Sequence, residues 1–167
     1  MAEFPLPYVS NDLQGQVALV TGASSGLGRR FAAALAAAGA SVAVAARRTD
    51  RLGELVDEIT ARGGRGVAVP LDVTDAASVA AAVDRAEQEL GLVTILVNNA
   101  GIPDAQYATR MPVELVDRVL GTNVRGPWLL ACEVARRLMA AGSPGRIVNI
   151  SSTGSFSYGG GAAALYS

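Results

Sequence analysis

The sequence contains no lysine and no histidine, and a single cysteine. All 14 of its basic residues are therefore arginine. These absences remove the commonest general base and the usual amine nucleophile from any catalytic scheme. One thiol cannot form an internal disulfide, which fits a reducing compartment. Cys132 lies in the amphipathic stretch WLLACEVARRL. With no histidine to activate it, it reads as a buried structural thiol. No metal site is expected. An excess of charge is missing too: 14 basic against 15 acidic residues point to neither nucleic acid nor an anionic membrane. No apolar run approaches the ~18 residues that a membrane span requires. The opening MAEFPLPYVS has neither the basic nor the apolar region of a signal peptide. The expectation is a soluble, cytoplasmic, globular domain.

What remains is rich in small aliphatic residues. Half of the 167 residues are hydrophobic and 17% are charged, which excludes a disordered chain and fits one domain with a real core. Residues 1–14 hold two prolines and no periodicity, and read as a surface arm. Short apolar runs then recur: VALVT from Val17, VAVAA from Val42, VAVPL from Val67, VTILV from Val93 and IVNIS from Ile147. Continuous, β-branched runs of this length suit strands covered on both faces. Helical patterns fill the gaps. RRFAAALAAAG stops at Gly39, and DRLGELVDEITARG places Leu52, Leu55, Val56 and Ile59 on one face. DAASVAAAVDRAEQELG follows a capping signal, with Asp75 as the cap. The last gap holds one long helical pattern from Pro112 to Gly142, which Pro127 should kink or interrupt. Strand and helix alternating in this way predict right-handed βαβ units and a parallel, doubly wound α/β sheet in one domain.

Chemistry collects at the strand exits. The first strand runs into TGASSGLGRR, with glycines at 22, 26 and 28. A glycine-rich turn ahead of a helix brings backbone N–H groups close to a pyrophosphate, and the helix N-terminus adds partial positive charge. Gly22 suits the tight turn, Gly26 the close approach and Gly28 the helix–sheet contact. The spacing differs from G-x-G-x-x-G and supports the assignment by analogy, against a plain flexible turn. After the second strand stands Ala46, where NAD-preferring folds place an acid for the ribose 2′-hydroxyl. Arg47 and Arg48 follow, and a guanidinium suits a 2′-phosphate. NADP(H) is thus favoured, with NAD(H) open; the alternative is that both arginines solvate a helix start. LDVTD puts Asp72 at the carboxyl edge of the sheet without a capping role, and NNAG (98–101) reaches the same edge, where it would form a close-packed floor.

Together these motifs resemble the short-chain dehydrogenase/reductase (SDR) family, in order, from Leu13 to the last residue. TGASSGLG resembles its cofactor loop, LDVT its adenine contact and NNAG its fourth-strand motif. TNVRG resembles the segment with a catalytic asparagine, and IVNISS the strand leading to a catalytic serine. The resemblance implies a Rossmann dinucleotide-binding domain over 15–167, with five of the family's seven strands. Cofactor contacts would come from Gly22, Ser24, Ser25, Gly26, Leu27 and Gly28, and from Arg47 and Arg48. Asp72, Val73, Asn99, Ala100, Gly101 and Tyr166 complete that set. Asn123 would hold a water in a proton relay, Ser152 would hydrogen-bond the substrate oxygen, and Tyr166 would be the general acid or base. Ser152 and Tyr166 stand one residue further apart than is usual in the family, as an extra glycine in YGGGAAALY would produce.

The implied activity is hydride transfer between NADP(H) and a small carbonyl or secondary-alcohol substrate. The complete protein would be a homo-oligomer, a dimer or tetramer. The lysine of the family's Tyr-x-x-x-Lys motif would fall beyond Ser167, so the chain is expected to be the first two thirds of a member and inactive alone. The alternative is a non-catalytic dinucleotide-binding or regulatory module. Substrate identity is not legible; IPDAQYATRMP offers Tyr107 and Met111 either as apolar walls or as an exposed loop.

Overall fold

A computed structural model describes residues 11–103 and 106–152. Five strands, β1 (Val17–Thr21), β2 (Ser41–Ala46), β3 (Arg65–Pro70), β4 (Ile95–Asn98) and β5 (Arg146–Asn149), form one sheet in the order β3-β2-β1-β4-β5. Every pairing is parallel. Helices α1 (Gly26–Ala37), α2 (Thr49–Ala61), α3 (Ala76–Leu90), α4 (Val113–Leu120) and α5 (Gly126–Ala140) connect the strands. This is the parallel α/β Rossmann-like architecture that the strand and helix spacing predicts.

The unbroken apolar runs follow from burial on two faces. Leu19 and Leu96 point into a core shared with Val79, Val83, Leu130 and Val134 of α3 and α5. Ala18, Val20 and Val97 point the other way, toward Ala32 of α1 and Leu52, Leu55 and Ile59 of α2. Successive residues of one strand therefore serve opposite cores, and no polar alternation is possible. Val56, expected on the same face of α2, is only partly buried. Asp75 caps α3 as expected, its side chain accepting from the Ala77 N–H at 3.0 Å.

The long helical pattern divides as α4, a π-helical turn at Gly121–Arg125, and α5. The break lies one turn before Pro127. Proline has no N–H for the carbonyl of Asn123 four residues earlier, and its ring crowds that carbonyl. A widened turn relieves the crowding without ending the helix. Arg137 then fastens α5 to α3. Its guanidinium donates to Glu87 at 2.9 Å, to Asp84 at 2.7 Å and to Glu133 at 2.7 Å.

β1 neighbours both β2 and β4, so successive connections leave it in opposite directions. That reversal opens a crevice beyond the carboxyl ends of the strands, where sheets of this kind take ligands. β3 and β5 are the edge strands among the described residues, and all four residues of β5 are exposed. Val113, Leu120, Val124 and Trp128 expose apolar surface along α4, the π-helical turn and α5. Among the described residues no helix is long and apolar enough to cross a membrane.

Candidate functional site

The crevice is a cleft of about 610 Å³ over β1, β2, β3 and β4. Its centre is the turn from β1 into α1. Gly22 has φ +67° and Gly26 has φ +59°, backbone that L side chains rarely adopt. A Cβ on Gly28 would lie 2.5 Å from both the Gly22 carbonyl oxygen and the Asn99 side-chain nitrogen. Glycine there lets α1 sit directly on the turn and on the end of β4. Nothing stands within 4 Å of a Cβ built on Gly26, so that side of the turn is open. Ser25 is the N-cap of α1 and its side chain makes no capping bond, which leaves the first-turn N–H groups available to a ligand.

Asn99 and Thr21 hold this turn against β4. The Asn99 Nδ2 donates to the Thr21 carbonyl at 3.0 Å and to that of Gly22 at 3.4 Å. The buried Thr21 Oγ1 accepts from the N–H groups of Asn99 and Ala100, both at 3.0 Å. Asn99, Ala100 and Gly101 of NNAG line the cleft, while Asn98 does not.

Arg47 and Arg48 line the cleft from the end of β2. The Arg48 Nη2 donates to the Ser24 Oγ at 2.9 Å and to the Ser25 Oγ at 3.1 Å, so two hydroxyls of the glycine loop aim it. Across from them, Asp72, Val73 and Thr74 follow β3. Asp72 has a local role that the sequence did not suggest: its Oδ1 accepts from the Thr74 hydroxyl at 2.7 Å and the Thr74 N–H at 3.0 Å. Those bonds, with a smaller contribution from the charge of Arg47, hold its carboxyl below the usual carboxylate range. Val73 is buried, and its contact with Gly126 seats α5 beside the cleft.

Asn123 lies in the π-helical turn. Its Oδ1 accepts from the Ile102 N–H and its Nδ2 donates to the Ile102 carbonyl, both at 2.9 Å. The asparagine thus pins the strand exit after Gly101 to the helix break. Ser152, three residues beyond β5, is partly buried but does not line the cleft. Gly26, Leu27 and Gly28 build the start of α1 rather than the wall, with Leu27 59% exposed beside it. Tyr107 is exposed and Met111 partly buried. Tyr166 lies outside the described residues. Arg118, Thr122, Thr74 and Ile102 line the cleft without having been singled out beforehand. Arg118 belongs to an amphipathic helix, where an arginine reads as solvated surface.

A family model described as short chain dehydrogenase matches residues 16–167. The chain belongs to the short-chain dehydrogenase/reductase family. It is 37% identical over 148 residues to 2-dehydro-3-deoxy-D-gluconate 5-dehydrogenase of Dickeya dadantii, covering 89% of this chain and 58% of that protein. A short-chain type dehydrogenase/reductase from Mycobacterium marinum superposes with a TM-score of 0.89 at 40% identity, over 93% of this chain and 64% of the other. A 7α-hydroxysteroid dehydrogenase complexed with NADH and 7-oxo glycochenodeoxycholic acid gives a TM-score of 0.84 at 35% identity, over 89% and 57%. The SDR chain spans less than two thirds of the length of each of these relatives.

Proposed function

We propose that this chain is the dinucleotide-binding part of an SDR oxidoreductase that moves a hydride between NADP(H) and a small carbonyl or secondary-alcohol substrate. The observation that carries the reading is the cleft wall itself: a tight glycine turn, an uncapped helix N-terminus and the Arg48–Ser24–Ser25 cluster lie together at the sheet's switch point. The cleft fits a dinucleotide. The N–H groups of the first turn of α1 would hold the pyrophosphate. Arg48, already aimed by two hydroxyls, and Arg47 would take the ribose 2′-phosphate. Asp72 and Val73 would face the adenine, and Asn99, Ala100 and Gly101 would support the ribose on the nicotinamide side. When bound, the nicotinamide supplies the hydride donor or acceptor.

The protein's part in that chemistry is to hold the substrate oxygen and move its proton. Ser152 would hydrogen-bond the oxygen, and Tyr166 would give or take the proton. A free tyrosine has a pKa near about 10, so roughly 0.1% is ionised at pH 7, and a base role needs a nearby cation. Both polar atoms of the Asn123 side chain are engaged by Ile102. Its main-chain carbonyl cannot receive the usual helical N–H, because Pro127 has none, and would be the group that holds the relay water. NAD(H) is the second reading of the cofactor, favoured by the NADH named with the steroid dehydrogenase neighbour. The apolar surface of Val113, Leu120, Val124 and Trp128 suits a homo-oligomer.

Fluorescence titration with NADPH and NADH tests the reading. Wild-type protein should bind NADPH the more tightly. Arg48→Ala should weaken NADPH by about tenfold or more, the loss of one charge-assisted contact, with little effect on NADH. Failure of both dinucleotides to bind would refute the proposal.

A further inference from the structure

Among the described residues, three guanidinium groups line the cleft, those of Arg47, Arg48 and Arg118, against the one carboxylate of Asp72. Arg48 is held by the Ser24 and Ser25 hydroxyls, and Arg47 lies near enough to Asp72 for its charge to act on that carboxyl. Arg118 has no such engagement. It is exposed on α4, and its side chain has no hydrogen-bond or ion-pair partner among the described residues. A cationic cleft draws an anionic ligand, but the charge alone does not assign a part of that ligand to each arginine.

The end of α4 supplies that assignment. A Cβ built on Gly121 would stand 3.9 Å from the Thr74 methyl, and the Arg125 Nη1 donates to the Thr74 carbonyl at 2.8 Å. Thr122, four residues after Arg118, lines the cleft as well. These contacts bring the face of α4 that carries Arg118 and Thr122 to the side of the cleft formed by Asp72, Val73 and Thr74. That is the side on which the proposed binding mode lays the adenine, while the α1 N–H groups and Arg48 take the phosphates. A base is flat and uncharged, and proteins hold such a face with an aromatic ring or a guanidinium plane. No aromatic residue lines the cleft among the described residues. A guanidinium is planar, weakly hydrated and stacks on π systems. We infer that Arg118 stacks on the adenine of the bound dinucleotide. It therefore sets the affinity for NADPH and NADH alike, while Arg47 and Arg48 choose between them. The inference rests on the reading of the cleft as a dinucleotide site.

The test titrates NADPH and NADH into the naturally encoded protein and its Arg118→Ala, Arg118→Tyr and Arg118→Lys variants. Position 118 is exposed and unpaired, so all three should keep the wild-type melting temperature within about 2 °C. Arg118→Ala should weaken NADPH and NADH by the same factor, about five- to twentyfold, the scale of one cation–π contact with a base. The ratio of the two affinities should stay within about twofold of wild type, whereas Arg48→Ala should change it. Arg118→Tyr, which offers a ring but no charge, should restore most of the loss, and Arg118→Lys, which offers charge but no plane, little of it. A loss confined to NADPH would place Arg118 on the 2′-phosphate and overturn the inference. Rescue by lysine and not by tyrosine would place it on the pyrophosphate and overturn it too. Unchanged affinities in Arg118→Ala would overturn it while leaving the cleft a dinucleotide site. Wild-type protein that binds neither dinucleotide would refute that reading itself, and the inference with it.

Discussion

Replacing Gly28 by alanine puts the account of the cleft under direct strain. The new Cβ would lie 2.5 Å from the Gly22 carbonyl oxygen, 2.5 Å from the Asn99 Nδ2 and 2.9 Å from the Gly22 carbonyl carbon. Comfortable contact between heavy atoms begins near ~3.5 Å, so the overlap is about 1 Å. Neither neighbour can yield cheaply. The carbonyl belongs to the turn, and the Asn99 amide is bonded to both Thr21 and Gly22. Relief requires α1 to move outward by about the overlap. Overpacking of this kind costs about 1–3 kcal/mol, and the better helix propensity of alanine returns up to ~1 kcal/mol. The net loss of about 1–2 kcal/mol should lower Tm by several degrees, at ~2–4 °C per kcal/mol for domains of this size. Displacing the α1 N-terminus should also weaken NADPH binding by about tenfold or more, because its hydrogen bonds to phosphate depend on distance. Gly53→Ala is the control. Gly53 lies within α2 with nothing within 4 Å of a built Cβ, so that change should raise stability by about 0.5–1 kcal/mol. Thermal denaturation and NADPH titration of both variants suffice. A Gly28→Ala protein as stable as wild type, binding NADPH equally well, would refute the reasoning.

Three further outcomes follow from the same geometry. Thr21→Val keeps the shape but leaves the N–H groups of Asn99 and Ala100 without an acceptor; urea unfolding should show a loss of about 1–3 kcal/mol for each, and Thr21→Ser should recover most of it. Arg137 is 23% exposed between three carboxylates, so Arg137→Met should cost about 1–3 kcal/mol in urea. Lysine should recover only part, since one ammonium lacks the guanidinium's fork; full recovery by lysine would contradict the three-way clamp. Asp72 has a folded pKa below its unfolded one, so its contribution is complete above the ordinary carboxylate value and fades as pH falls through the lower folded value. The stability difference between wild type and Asp72→Asn should thus be constant above about pH 5 and shrink below about pH 4. A difference that grew on acidification would reverse the sign of the argument.

The parallel sheet was legible because both faces of its central strands are covered, which leaves β1 and β2 as unbroken apolar runs. Boundaries were less so. β3 begins at Arg65, two residues before its apolar run, because pairing with Ser41 and Val42 extends it through residues with no hydrophobic signal. α1 begins at Gly26, not after the glycines, since Gly28 is required by contact rather than by loop conformation. β4 starts only at Ile95; Thr94 before it bonds to β1 through its hydroxyl, and the Val17 N–H donates to that oxygen at 3.2 Å. Among the residues that line the cleft, those with loop chemistry were readable: Gly22, Ser24, Ser25, Arg47, Arg48, Asp72 and Asn99–Gly101. Thr21 was not. It closes an apolar strand, where a β-branched residue is ordinary, and only the arrival of β4 alongside gives its hydroxyl two donors. Arg118 was missed for a related reason, because helical periodicity places it with the solvent and only the fold turns that face to the cleft.

The central claim is carbonyl-dependent hydride transfer, and the direct measurement is consumption of NADPH by the naturally encoded protein against a panel of ketones and aldehydes. The account predicts NADPH oxidation that requires a carbonyl compound and is lost in Tyr166→Phe while NADPH binding persists. Tight NADPH binding with no carbonyl-dependent oxidation across the panel would contradict it.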